Sequence, residues 1–402
     1  MSYDVLTPSV ARLWPYKPDW GRSFEVKRAF STDIITSRDK HEQRRAIRTD
    51  PRISAQYRTV LSGADRRAAD HHLRAWQNKP VIVPDFARWA RLTSLSLSGS
   101  SALTISPMPA WVAAGQPLLL CSTAGTQVEV IVQGVAGSTI TLEDPLVNGW
   151  SVGDVLRPTF FGLFDGRLSS QRPNGDTVAI DVSIDCYPGG EPPRDAGSAW
   201  ASLSGVEIFT PKPDYAVAPS VGHVWPVDQI DYGRGRTAQF RPVEAMAREL
   251  EAEFNGLDVG LATQIEQFFD RMKGRRTAFY VPTWEGDYVL GNSPGSGSTT
   301  FVAVGSALFG DFGDSDFSIV SEGVAVCLTN GTVLYRKITD IGASGGNSLV
   351  TVNAAWGVAL SSANVARISR MPLSRFASDE MVMSWRTPLT ASSRLTFTQV
   401  SA

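Results

Sequence analysis

The order of features in this chain occurs twice, and a duplicated order restricts the fold to two units of one design. Trp14-Pro15 opens the first series and Trp225-Pro226 the second, each followed by Asp, an aromatic residue and Gly-Arg, in PDWGR and IDYGR. A strand of period two comes next. Ile53, Ala55, Tyr57 and Thr59 alternate in ISAQYRTVLS, and Leu250, Ala252 and Phe254 alternate with glutamates in ELEAEFNGL. Ala, Glu and Leu favour helix, yet the alternation of the second run and its place opposite the first predict a strand. A helix follows each: GADRRAADHHLRAWQN puts Ala69, Leu73 and Trp76 on one stripe. GLATQIEQFFDRMKG does the same with Leu261, Ile265, Phe268 and Met272, and Gly274 serves as its C-cap. A basic turn then leads to a strand ending in Val-Pro, at Pro84 and at Pro282.

The correspondence extends further along the chain. A shift of 210 residues lays 138–158 on 348–368 without a gap, and Cys121 in LLLCSTAGTQ meets Cys327 in VAVCLTNGTV. Each series reads as strand, strand, helix, strand, a β-rich insert, and two closing strands that alternate apolar and polar. Short runs of Val, Ile, Thr and aromatics between Gly, Asn and Asp turns make the fold class mainly β. At 402 residues two or three domains are expected. The first unit is placed at 1–93 with 159–187, its insert at 94–158, a Pro-, Gly- and Ser-rich linker at 188–222, the second unit at 223–289 with 369–402, and its insert at 290–368.

With 43% hydrophobic and 19% charged residues the chain has material for sizeable cores and too little charge for disorder. Lys+Arg 38 against Asp+Glu 40 leaves a net charge of −2, which removes the electrostatic case for gripping nucleic acid through phosphates. Three cysteines, Cys121, Cys186 and Cys327, are too scattered for a disulfide framework. MSYDVLTPSVARLWP lacks a basic segment followed by an apolar core, so no secretory signal is expected. The most apolar stretch, Trp111 to Cys121, is about half the ~20 residues a membrane-spanning helix needs.

Motifs of chemistry are sparse. GNSPG, from Gly291 to Gly295, matches a nucleophile elbow, but Pro294 has no N–H for an oxyanion hole and loop formers surround it. His41, His71, His72 and His223 lack the spacing of metal ligands. The carboxylate pairs Glu143-Asp144 and Asp379-Glu380 lie at turns between strands, where acidic residues are ordinarily solvated. No Gly-rich turn ends in Gly-Lys-Ser/Thr and no G-x-G-x-x-G opens a helix, so neither a catalytic centre nor a cofactor or metal site is expected. Trp89, Trp111, Trp150 and Trp356 are suited either to closing small β cores or to stacking sugars. Arg44, Arg45, Arg48 and Arg52 interleave with Asp39, Glu42 and Asp50, a mixed-sign cluster that suits contact with a neighbouring subunit. Arg275 and Arg276, at the end of the second helix, are further contact candidates.

The segment EQRRAIRTDPR, followed by an alternating strand, a helix and a basic turn into an aromatic strand, resembles tail-tip proteins of long, non-contractile-tailed bacteriophages. IEQFFDRMKGRRTAFYVPTWEGDY (265–288) is similar to the same element in distal tail proteins of such phages and of gene transfer agents, and RLTFTQV fits their last strand. The resemblance covers about 60% of the chain in two copies and leaves the inserts aside; GRGRTAQFRPVEAM departs from it where the first copy is Arg-rich. It implies two tandem tail-tube-type β-sandwich domains, each with one helix and a small β-barrel-like insert, marked by Trp14, Pro84, Trp225 and Pro282. It also implies a baseplate ring without catalysis. Expected partners are further copies of the chain, the tail tube protein, the tip hub, other baseplate or fibre proteins and the tape measure protein, with DNA passing through the lumen without sequence-specific binding. The place would be the tail tip of a virion assembled in the host cytoplasm. Three copies are favoured over six, because both halves keep the strand–helix–strand element. The alternative is a receptor- or glycan-binding module acting through the inserts.

Overall fold

The computed structural model describes residues 12–37, 41–76, 79–166, 168–224, 227–231, 233, 235, 237–240, 247–305 and 322–400. The fold is mainly β, with two helices among the described residues. In chain order the first half comprises β1 (Arg12–Leu13), β2 (Phe24–Ala29), β3 (Thr32–Thr36), β4 (Glu42–Ala46), β5 (Arg52–Ser62), α1 (Gly63–Ala75), β6 (Val81–Pro84), β7 (Ala90–Arg91), β8 (Ala102–Thr104), β9 (Pro117–Cys121), β10 (Gln127–Ala136), β11 (Thr139–Leu142), β12 (Val155–Phe164), β13 (Ser169–Gln171) and β14 (Thr177–Cys186). A small hairpin, β15 (Ser202–Leu203) and β16 (Val206–Glu207), follows. The second half comprises β17 (Ser220–Val224), β18 (Asp228–Ile230), β19 (Ala238–Phe240), β20 (Ala247–Leu257), α2 (Val259–Met272), β21 (Phe279–Tyr280), β22 (Thr300–Ala303), β23 (Gly323–Leu328), β24 (Val333–Ser344), β25 (Asn347–Val352), β26 (Val365–Met371), β27 (Leu373–Phe376), β28 (Glu380–Thr387) and β29 (Thr390–Gln399).

Strand alternation sets which face each strand buries. In β5, Ile53, Ala55, Tyr57, Thr59 and Leu61 turn inward while the residues between them face out. The run from 247 to 257 is a strand, β20, despite its helix-favouring composition, because Leu250, Ala252 and Phe254 are needed on one face of a sheet. Both helices lay their predicted stripes on this core: Ala69 of α1 with its C-cap Trp76, and Ile265, Phe268 and Met272 of α2, are buried, while Leu73 and Leu261 are half-buried against it. The Asp258 carboxylate caps α2 by accepting from Leu261 N at 2.7 Å. Its left-handed C-cap is Lys273, one residue before the expected glycine. Gly274 is left-handed as well, and a Cβ there would sit 2.6 Å from Asp379 Oδ1, so packing as well as conformation demands glycine.

Pairing gives the two halves one strand order. The first runs β1-β6-β12-β14-β5-β2, and the second runs from an isolated bridge at Ile208 through β21-β27-β29-β20-β17. β13 and β28 occupy matching places beside β14 and β29, and the hairpins β3–β4 and β18–β19 match too. The inserts repeat this agreement, as β8-β11-β10-β9-β12 and β22-β25-β24-β23-β26. Each has a bulge at the same place, after Val132 and after Ile338, whose partners Leu142 and Val352 are 210 residues apart. Leu146 and Trp150 of one insert correspond under that shift to Trp356 and Leu360 of the other, and all four are buried. The large and small side chains have exchanged places around one core position.

Three sequence expectations change. The stretch 188–222 is integral to the second half: β17 starts at Ser220, Ile208 bridges Tyr280, and Phe209 is fully buried. The counterpart of Trp14 is Phe209, since Trp14 N donates to Ile82 O and Phe209 N to Tyr280 O, both at 2.8 Å, on the parallel edge of equivalent strands. Trp225, the counterpart expected from the sequence, lies outside the described residues. The halves also share a single apolar core that runs from Trp14 to Phe397. Sequence order cannot reveal this, because the contact that merges them joins strands more than 350 residues apart.

One insert residue carries a pH prediction. Glu129 on β10 lies opposite the buried Leu119, and burial alone pushes its carboxyl up to about 7. The folded chain therefore holds this proton more tightly than the unfolded chain, so the cost grows as pH rises from the usual glutamate range to about 7 and is constant above it. Glu129→Gln should stabilise the protein at pH 8 by about 1–2 kcal/mol, after discounting for the solvent the group still meets. Below pH 4 the difference should vanish, as urea melts at the two pH values will show.

Candidate functional site

The junction between halves is an extended polar arrangement built on β2. That strand points Phe24, Val26 and Arg28 inward, pairs with β5 on one side, and takes β28 of the other half on its second side. The register runs antiparallel from Phe24 opposite Trp385 to Ala29 opposite Glu380. Phe24, Val26, Met383 and Trp385 are all buried where the halves meet. Phe30 packs on Phe269 of α2, with ring centroids 5.7 Å apart.

Charged groups fix how this contact is made. Arg28 Nε and Nη2 donate to both carboxylate oxygens of Asp270 at 2.9 and 2.5 Å. Arg375 does the same to Glu42, at 2.8 and 2.9 Å, which ties β27 to the β3–β4 hairpin. Burial pushes the Glu42 carboxyl up, but Arg375, Arg44 and Arg275 outweigh it and hold the group below its usual range. Asp379 accepts from Thr32 N, Thr32 Oγ1 and Arg275 N at 2.7, 2.9 and 2.9 Å. At the centre lies Glu266 of α2, fully buried, whose Oε2 accepts from Arg88 Nη2 at 2.6 Å and Arg194 Nη1 at 2.5 Å. Burial raises its proton affinity, and Arg194, Arg88 and Arg28 more than reverse that, so the carboxyl stays below the usual range. Burial pulls Arg194 down to about 9, which leaves it charged at neutral pH. Such pairs add little net stability over apolar packing, yet removing one partner strands a buried charge. Their role here is to set one orientation of the halves.

The residues singled out in the sequence divide sharply. Trp14, Pro84 and Pro282 are buried, with Asp85 and Thr283, the residues after the two prolines, making the same turn contact: Asp85 Oδ1 accepts from Ala87 N and Thr283 Oγ1 from Glu285 N. Of the arginines, Arg44 lies beside Glu42 at 3.7 Å, Arg48 donates to the Ala29 and Phe30 carbonyls at 3.1 and 2.9 Å, and Arg275 meets Asp379 through its backbone N–H. These three serve contacts within the chain. Arg45, Arg52 and Arg276 are exposed. Asp379-Glu380, expected to be a solvated turn, belongs to the junction, with Glu380 also paired to Lys27 at 2.7 Å. Trp150 and Trp356 are core residues, and Trp89 and Trp111 border a cavity of about 440 Å³ beside Arg88, Arg194 and α2. Arg88 Nη1 lies 3.5 Å from Asp85 Oδ2, and it and Arg194 Nε and Nη2 are sealed from solvent.

Sequence reasoning missed Glu266, Asp270, Arg28, Arg88 and Arg194. One signal was present: Glu266 falls inside the widened apolar face formed by Ala262, Ile265, Phe268, Phe269 and Met272, where an unpaired carboxylate would be untenable.

The remaining sheet edges complete the site. Among the described residues β17, which corresponds to β2, pairs with β20 alone, and β13, which corresponds to β28, pairs with β14 alone. Compared with protein-family models and with curated proteins, the chain has no match. Among the described residues no helix is long and apolar enough to cross a membrane.

Proposed function

We propose that this protein is a structural ring component of a phage tail tip, joining the tail tube to the tip and lining part of the DNA conduit. The observation that carries the reading is the joining in series of two units with one strand order through unlike sheet edges, β2 to β28. A contact between unlike edges is heterologous, and repetition of such a contact closes into a ring or runs on as a filament. Three copies would present six similar units, matching a junction between a sixfold tube and a narrower tip. The net charge of −2 suits a conduit that releases a passing duplex instead of holding it. The tube protein above, the tip hub below, the tape measure protein and fibre or baseplate neighbours are the partners this placement entails.

A reconstruction of the tailed particle tests the proposal. The expected density is a ring of three chains at the distal end of the tail, with alternating first and second halves. Six chains with identical inner units would replace the trimer, and absence of the protein from purified particles would overturn the tail assignment.

A further inference from the structure

The two inserts share a strand order and each closes on a core of its own, so a difference between them at exposed positions is not imposed by the fold. In the first insert residues 95–100 and 146–152 run side by side, with Trp150 N donating to Ser96 O at 2.7 Å and Leu146 N to Ser100 O at 2.8 Å. Ser96 and Trp150 turn inward. Leu95, Leu97, Val147 and Val152 turn out, each between 61% and 80% exposed, among the small polar residues Ser98, Asn148, Gly149 and Ser151. The second insert builds the same ribbon, with Leu360 N donating to Pro294 O at 2.9 Å and Trp356 N to Ser298 O at 3.1 Å. That equivalence puts Ser293, Gly295, Gly357 and Ser362 in the places of the four apolar residues. The only large apolar side chain exposed in those twin segments is Val358, in the place of Asn148. An exposed aliphatic face with a polar rim marks a contact surface, and here one of two equivalent modules carries it.

We propose that this face of the first insert docks a different protein, present once per chain, whose contact surface is aliphatic with cationic groups beside it. The single copy follows from the pair of inserts, because a partner meeting both in the same way would need the face twice. The charge follows from Glu143 and Asp144, both exposed in the turn just before Val147, where a partner's cations would meet them. The partner's place rests on the ring reading above: three chains present six inserts, of which three carry the face, so the partner follows the threefold symmetry of the tip and not the sixfold symmetry of the tube. Two arguments stand against a second copy of this chain as the occupant. Four side chains fall well short of the roughly 800 Å² that each side of a stable interface buries, so the face does not hold two free chains together. Copies in a ring of three are related by a threefold rotation, and a face meets its own copy only across a twofold axis.

Hydroxyl-radical footprinting of the full-length chain, read by mass spectrometry, tests the covering. Leu95 and Leu97 should be oxidised at one rate in dilute and concentrated purified protein, and about fivefold more slowly in tailed particles, where a docked partner excludes water. Val358 of the other insert should be oxidised alike in both. Unchanged oxidation of the two leucines in particles, or protection on concentrating the purified chain, would overturn the proposal. A second arm gives the first insert the residues of its twin, Leu95→Ser with Leu97→Gly, and melting should stay within the small range of surface substitutions because both side chains are exposed. Particles carrying this variant should keep the chain and lose one other protein, which wild-type particles hold in equal number. Loss of no protein, or of one held at two copies per chain, counts equally against it. Those outcomes sink the docking proposal alone, whereas absence of the chain from tailed particles sinks the tail reading and the docking proposal with it.

Discussion

Glu266→Ala should lower the folding free energy by about 3–5 kcal/mol, because it removes the carboxylate that both buried guanidinium groups bond and leaves Arg88 only the more distant Asp85, at 3.5 Å. Few single substitutions of a polar residue reach that size. Urea denaturation followed by both tryptophan fluorescence and far-ultraviolet circular dichroism measures it. Since the carboxylate sits where α2 of the second half meets Arg88 of the first, the halves should also lose cooperativity, and the two signals should no longer coincide. Glu266→Gln keeps the shape and removes the charge, and should fall between wild type and alanine. The pH dependence has a definite sign. A carboxyl held below its usual range contributes stability that is present above the ordinary glutamate range and is lost as pH falls through its depressed value. Wild type should therefore weaken more in acid than Glu266→Gln does. A loss under 1 kcal/mol for alanine would show that the junction does not depend on this group.

Phe209→Ala should cost about 3–5 kcal/mol, comparable to Trp14→Ala. The residue is fully buried and its ring meets Phe397 at 5.0 Å, Trp200 and Phe268 at 5.4 Å and Phe254 at 5.5 Å. Truncation opens a cavity at the centre of the second half, where the surrounding rings have little room to collapse. The sequence gives the opposite forecast, since 188–222 has the composition of a linker and a linker residue would change stability by less than 0.5 kcal/mol or so. Thermal or urea unfolding of the two alanine variants separates these outcomes. Near-equal losses support the equivalence of the Trp14 and Phe209 positions, and a negligible loss at Phe209 would remove it.

The sequence alone determined the local elements and their duplication. Alternation in ISAQYRTVLS and ELEAEFNGL, the stripe from Leu261 to Met272, and the gapless shift from Ser138 to Ser348 each report a period that a strand or helix needs in order to bury one face. Such periods are written in neighbouring residues, so they can be read without knowing what packs against them. The same shift relates Leu142 to Val352, the partners of the bulges after Val132 and Ile338, because a bulge is a property of one strand pair. Only the tertiary structure decided that Phe209 takes the place matching Trp14, that Arg28, Arg88 and Arg194 meet carboxylates of α2, and that Asp379 holds the base of the β3–β4 hairpin. It also decided that β2 is flanked by a strand on both sides, β5 and β28. These facts depend on which strand lies beside which across separations of up to several hundred residues. No local period encodes that choice, because it is settled by the whole set of edges, charges and apolar faces that must be satisfied together.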